Sequence, residues 1–200
     1  MLKLKNVYKS FDQKSVLAGA SLEIDGETVA LMGESGSGKT TVLRILASLE
    51  AADGGEATAS GKTAVVFAEP RLFENADVLE NVVCVMSGDE PKTEKTRRAE
   101  EILASLGLCD ALRSKPTELS SGMAARVAIA RALAYDADNY LLDEPFGALD
   151  EKTKTTAEEY VLKALSGKSV LLITHSEDEA ALCDGVLLLE NGKITEKASV

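Results

Sequence analysis

Gly33-Glu34-Ser35-Gly36-Ser37-Gly38-Lys39-Thr40 is the stretch from which the rest of this chain can be read. The octet satisfies G-x-x-x-x-G-K-[ST], which a random chain of this length would match by chance less than about once in a hundred. Its surroundings agree with it. Residues 28–32 form a short apolar run of strand character ahead of the octet, and residues 40–49 have helical patterning behind it. Glycines at this spacing let successive N–H groups converge on phosphate oxygens, and a helix opening there adds the positive end of its dipole. Lys39 is long enough to reach outer phosphates, and the Thr40 hydroxyl is a hard oxygen suited to Mg²⁺. The run from Gly33 to Thr40, with Thr41 behind it, is therefore the candidate phosphate cradle.

Outward from the octet, strands and helices alternate. Residues 2–7 alternate apolar and polar, residues 16–24 read as extended, and Asp25-Gly26 supplies a turn. Gly54-Gly55 reads as a break in the chain, and residues 64–67 as a buried strand. From 78 to 135 helical patterning dominates, with 93–106 amphipathic and Gly107 a C-cap. Residues 139–142 and 170–173 return to buried strands around a helical 152–165. Asn191-Gly192 between 186–190 and 193–196 is a hairpin signal. The alternation predicts an α/β fold: a nucleotide-binding core with a mostly parallel sheet, an N-terminal antiparallel β portion, and a helical insertion near 75–135. With no repeat or linker, the whole of 1–200 reads as one domain.

Bulk properties narrow the partners. The formal net charge of -11, from 33 acids against 22 bases, opposes a phosphate backbone, so nucleic acid is not expected as a partner. No apolar run approaches the ~18 residues that span a bilayer, and the N-terminus lacks a signal-peptide pattern. Direct membrane insertion is thus not expected, and a cytoplasmic location is. Six residues follow Ile194, so no appended regulatory domain is expected. Cys84, Cys109 and Cys183 show no C-x-x-C spacing and read as buried free thiols.

A phosphate cradle alone leaves kinases, GTPases and ATPases open. The apolar strand ending in Asp143-Glu144 places Asp143 near the cradle's metal, with Thr40 as the other metal ligand. Glu144 then faces another atom, the attacking water, as general base. Ser120, Ser121 and Gly122 precede a helical 124–133, where a cap and free N–H groups occur. An ordinary serine-capped helix is the default reading of that segment by itself. His175, the sole histidine, ends a buried strand beside the inferred site. Phe11 near a strand end would by itself be ordinary core packing.

Together these segments resemble the ABC ATPase family, in order and over essentially the whole chain. The resemblance rests on Phe11 in Lys-Ser-Phe-Asp, the 33–40 octet, Leu119-Ser-Ser-Gly-Met123, Asp143-Glu144, Pro145-Phe-Gly-Ala-Leu-Asp150 and Leu172-Ile-Thr-His175. It implies ATP and Mg²⁺ as cofactors and ATP hydrolysis as the reaction. It gives Phe11 adenine stacking and His175 a γ-phosphate contact, and makes Asp150 a dimer-contacting residue. It sets Ser120–Gly122 against the γ-phosphate held by the other protomer of a head-to-tail dimer. The implied partners are a second copy or a homologous ATPase subunit, an integral membrane permease, and a solute-binding protein. The segment after Asp-Glu-Pro is most similar to importers of nitrate, sulfonate or taurine-type solutes. The rivals are an exporter ATPase, an ATP-binding switch with little hydrolysis, and a nucleic-acid-linked ABC ATPase, which would want basic patches or a coiled-coil insertion that the sequence lacks. Phosphate release separates the switch from the motor, and the membrane partner separates exporter from importer.

Two departures from the family pattern stand out. Ala68 in Phe67-Ala-Glu-Pro70 replaces the glutamine expected after that strand, which puts coupling to the membrane partner in question more than ATP binding. Ser121 stands where the signature has glycine, and Met123 where it often has glutamine.

Overall fold

The computed structural model describes residues 1–12 and 14–197; the last three of the residues following Ile194 lie outside this description. The chain forms two compact units. One comprises 1–65, 138–144 and 166–200, the other 66–137 and 145–165.

The first unit holds two sheets. β1 (Leu2–Phe11) pairs antiparallel with β2 (Lys14–Ile24) on one side and β4 (Gly54–Ala59) on the other. The register Leu2↔Ile24 and Leu4↔Leu22 puts the apolar alternation of both strands on one buried face. The expected break at Gly54-Gly55 is instead the start of β4. Its sequence, Gly-Gly-Glu-Ala-Thr-Ala, lacks an apolar alternation, and main-chain pairing to β1 makes it a strand.

The second sheet has the order β5-β6-β7-β3-β8-β9. Its members are β3 (Thr28–Met32), β5 (Thr63–Val66), β6 (Asn139–Asp143), β7 (Ser169–Ile173), β8 (Gly185–Glu190) and β9 (Lys193–Glu196). β6, β7, β3 and β8 run parallel, and β8 turns back antiparallel through Asn191-Gly192. β3, β6 and β7 are buried at every position, so they carry continuous apolar runs instead of alternation. Because these strands are parallel, the segments that leave their C-terminal ends gather at one edge of the sheet. Those segments are the 33–40 loop, Asp143-Glu144 and Thr174-His175.

The second unit is helical: α2 (Val78–Val83), α3 (Lys92–Ser105), α4 (Ser121–Ala134) and α5 (Glu151–Ala164), with short 3-10 turns between α3 and α4. α2 opens on a reciprocal capping box, in which Asp77 Oδ1 accepts from Glu80 N–H at 2.7 Å and Glu80 Oε2 from Asp77 N–H at 2.8 Å. Val127, Ile129 and Ala130 of α4 and Leu103 of α3 are buried in this unit's core. No helix among the described residues is long and apolar enough to cross a membrane. The thiols differ from expectation: Cys84 and Cys109 are exposed and Cys183 is half-buried. Burial beside Asp184 and Glu179 pushes the Cys183 thiol up to about 12.

Candidate active site

The 33–40 loop leaves β3 and runs into α1 (Lys39–Leu46). Its turn depends on glycine at Gly38, where φ is 111° and an added Cβ would stand 2.6 Å from Val16 Cγ1. The start of β2 therefore packs directly on the loop. A cleft of about 400 Å³ runs between them, lined in part by Lys14, Val16, Glu34, Gly36 and Ser37. Lys39 is only 6% exposed, and its ammonium donates to the Gly33 and Glu34 carbonyls at 2.8 and 2.9 Å. Burial pulls its pKa below the ordinary lysine value, against the opposing charges of Glu144 and Asp143.

Thr40 Oγ1, on the first turn of α1, donates to Asp143 Oδ2 at 3.0 Å. Asp143 is 6% exposed, and burial raises its pKa while the Thr40 bond and Lys39 oppose the rise. One hydroxyl and one carboxylate, both hard oxygens, now share a point below the loop. No cluster of three or more metal-ligating side chains exists among the described residues. That donor set fits Mg²⁺, which takes one or two protein oxygens and completes its octahedron with phosphate and water.

Glu144 follows Asp143 in a left-handed conformation, φ 47°, which is unusual for a residue with a Cβ. Its N–H donates to the Ile173 carbonyl of β7 at 3.0 Å. That main-chain bond holds the reversal while the side chain turns outward to meet His175, with Glu144 Oε1 and His175 Nε2 2.8 Å apart. The segment around His175 is pinned on both sides. Thr174 Oγ1 donates to Glu179 Oε2 at 2.6 Å and accepts from Ser176 N–H at 3.0 Å. Phe11, opposite Lys14 at the end of β1, is 44% exposed, so it is not a core residue. Its strand pair leads into the cleft wall beside the loop. One edge of this unit thus brings together Gly33–Thr41, Asp143, Glu144 and His175, with Phe11 beside the cleft.

Ser120, Ser121, Gly122 and Asp150 lie in the other unit. Ser120 caps α4, its Oγ accepting from Met123 N–H at 3.2 Å, and Asp150 caps α5, accepting from Thr153 N–H at 3.2 Å. The two caps adjoin: a Cβ on Gly122 would stand 3.0 Å from the Ala148 carbonyl. That close approach favours glycine at 122, whereas Ser121 is exposed on the first turn of α4. Arg126 has a structural role not expected from the sequence. Its Nε donates to the Gly122 carbonyl at 3.2 Å and its Nη1 to the Leu106 carbonyl at 2.9 Å, tying the α4 start to the α3 end. The available signal was an arginine one turn beyond the Ser120 cap, in a mostly apolar helix.

The family description "ABC transporter" matches residues 17–147. The chain belongs to the ABC transporter ATP-binding family. It is 45% identical to the aliphatic sulfonates import ATP-binding protein SsuB of Corynebacterium glutamicum, over 98% of this chain and 83% of that one. The SsuB of Mycobacterium avium is 44% identical over 98% of this chain and 80% of its own length. Among solved structures, the ATP-binding cassette MJ0796, a dimer in a post-hydrolysis state bound to ADP and Pi, superposes with a TM-score of 0.90. It is 32% identical and fully covered in both directions. The chain is accordingly an ATP-binding, ATP-hydrolysing subunit with the α/β fold of an ABC cassette.

Proposed function

We propose that this ABC ATPase, a single domain spanning 1–200, hydrolyses ATP as half of a head-to-tail dimer, made with a second copy or a homologous subunit. It would power import of small sulfonate-type solutes through a separate membrane permease. The import reading is supported by the sulfonate import relatives. A cytoplasmic position on the permease follows from it, with a solute-binding protein delivering the solute on the far side.

The observation that carries the chemistry is the Glu144–His175 contact of 2.8 Å at the sheet edge that also holds Lys39, Thr40 and Asp143. The reaction is ATP and water to ADP and phosphate. Phe11 stacks the adenine, and the 33–41 backbone with Lys39 holds the phosphates in line. Thr40 and Asp143 would hold Mg²⁺, which supplies charge neutralisation at the β- and γ-phosphates. Glu144 takes the proton from the attacking water, and His175 orients that carboxylate and reaches the γ-phosphate. Ser120, Ser121 and Gly122, with Asp150 beside them, complete the partner's site. Catalysis is then largely positioning and charge stabilisation.

Glu144→Gln keeps the shape and the His175 contact but cannot take the proton. Turnover should fall by ~2–4 orders of magnitude with ATP affinity retained. Sedimentation should then show a doubled mass in ATP and a monomer in ADP. Undiminished phosphate release by this variant would remove Glu144 from the role.

A further inference from the structure

A buried cation stands behind the proposed adenine platform. Lys9 is 8% exposed on β1, and its Nζ lies 4.9 Å from the Phe11 ring centroid. Three oxygens fix the ammonium: Glu50 Oε1 at 2.6 Å, the Ala51 carbonyl at 2.8 Å and Asp53 Oδ1 at 3.4 Å. The same segment grips the strand through its backbone, since Asp53 N–H donates to the Tyr8 carbonyl at 2.9 Å and Ser10 N–H donates to Asp53 Oδ2 at 2.6 Å. Residues 50–53 lie just beyond α1, so the connection runs from the phosphate-loop helix to the residues flanking Lys9. The Glu50 bond, helped by Asp53, holds the ammonium above its ordinary pKa, so it stays a cation throughout the neutral range. Lys39 already serves the phosphates, and Lys9 has no part in that cradle.

We infer that Lys9 is a positioning residue for base recognition: a fixed cation against Phe11 holds the half-exposed ring as a preformed stacking surface for the adenine of ATP. The inference rests on the reading of Phe11 as the adenine platform. A ring held in advance loses less freedom on binding than one free to change rotamer. Glu50 and Asp53 matter because they remove the mobility of the lysine itself. The effect belongs to the base alone, so it should vanish for a ligand that has phosphates and no base.

The test compares ATP with inorganic tripolyphosphate, each titrated calorimetrically into the full chain with Mg²⁺. Lys9→Met should weaken ATP about three- to tenfold and leave tripolyphosphate within about twofold. In a Phe11→Ala background the same substitution should have no further effect on ATP. Lys9→Met/Glu50→Gln, which leaves one carboxylate fewer without its cation, guards against misfolding of the single variant and should show the same loss specific to ATP. Unchanged ATP affinity, an equal loss for both ligands, or an undiminished effect without Phe11 would each overturn the assignment. If Phe11→Ala leaves the ratio of ATP to tripolyphosphate affinity unaltered, the platform reading fails and Lys9 falls with it. If that ratio drops for Phe11→Ala and not for Lys9→Met, Lys9 alone is wrong.

Discussion

The sheet edge of one unit and the paired helix caps of the other use similar side chains in opposite ways. At the sheet edge, polar groups from distant segments meet each other: Thr40 bonds Asp143 across 103 residues, and Glu144 meets His175. At the caps, Ser120 and Asp150 each bond the amide three residues ahead on their own helix. Parallel strand ends assemble the first site, whereas local helix preference explains the second completely. Nothing in the cap geometry requires a ligand, and in the proposed dimer these exposed serines face a phosphate bound to another chain. The regions therefore differ in what completes them: the first gathers its polar groups within one chain, and the second, in the proposed dimer, depends on assembly.

The strongest way to break that contrast is a substitution that keeps the cap and spoils the assembly. Ser120→Asp does this, because aspartate caps a helix as well as serine does but sets a carboxylate against the partner's γ-phosphate. In the Glu144→Gln background it should reduce ATP-dependent dimerisation by about a hundredfold or more, roughly 3 kcal/mol. ATP affinity of the monomer should stay within about twofold and the melting temperature nearly unchanged. A dimer of undiminished affinity, read by sedimentation, would reduce Ser120 to its capping role.

The same contrast explains what was legible in the sequence. The sheet edge was readable because its groups sit next to strong local signals: a glycine-lysine loop after an apolar strand, and acidic or histidine residues at the ends of other apolar strands. Parallel pairing then puts those ends together without further information. β4 was not legible, since Gly54–Ala59 carries no alternation and becomes a strand through pairing with β1. The exposure of Cys84 and Cys109 was hidden for a similar reason, because a thiol's burial depends on packing that spacing does not encode. The left-handed turn at Glu144 was equally invisible, because a main-chain bond to Ile173 on another strand supports it.

A smaller effect, of opposite sign, sharpens the sheet-edge half of the comparison. Asp143 is buried, and burial lifts its folded-state pKa above the unfolded value near 3.8. Its contribution to stability is thus full below that value and is lost as pH rises through the raised one. Asp143→Asn keeps an oxygen to accept from Thr40 and carries no charge. The nucleotide-free variant should be more stable at pH 8 by about 1 kcal/mol, a rise of ~2–4 °C in melting temperature, while hydrolysis is lost. The stability gain should shrink as pH is lowered into the acid range, where wild-type Asp143 becomes neutral too. A gain that is the same at every pH would mean the carboxylate's charge is not the cause.

Ala68→Gln has the smallest expected effect and bears on the helical unit, where alanine stands in place of the glutamine expected from the family resemblance. The loop around it is firmly held by other groups. Arg131 donates to the Pro70 and Arg71 carbonyls at 3.1 and 3.0 Å, and the Arg71 guanidinium lies 4.1 Å from the Phe67 ring centroid. Asn81 Oδ1 accepts from Phe73 N–H at 2.8 Å. Ala68 itself is exposed, so a longer side chain can be added without disturbing these contacts. A carboxamide there would add a switchable hydrogen-bonding group, while in the proposed site Thr40 and Asp143 would anchor the ion without it. ATP affinity should therefore change less than about threefold, under ~1 kcal/mol. Hydrolysis by the assembled transporter should become faster or more strongly stimulated by the permease, measured as phosphate release with and without the membrane subunits. Loss of hydrolysis in the variant would show that this site holds its water in an arrangement that glutamine blocks, and that alanine is part of the mechanism.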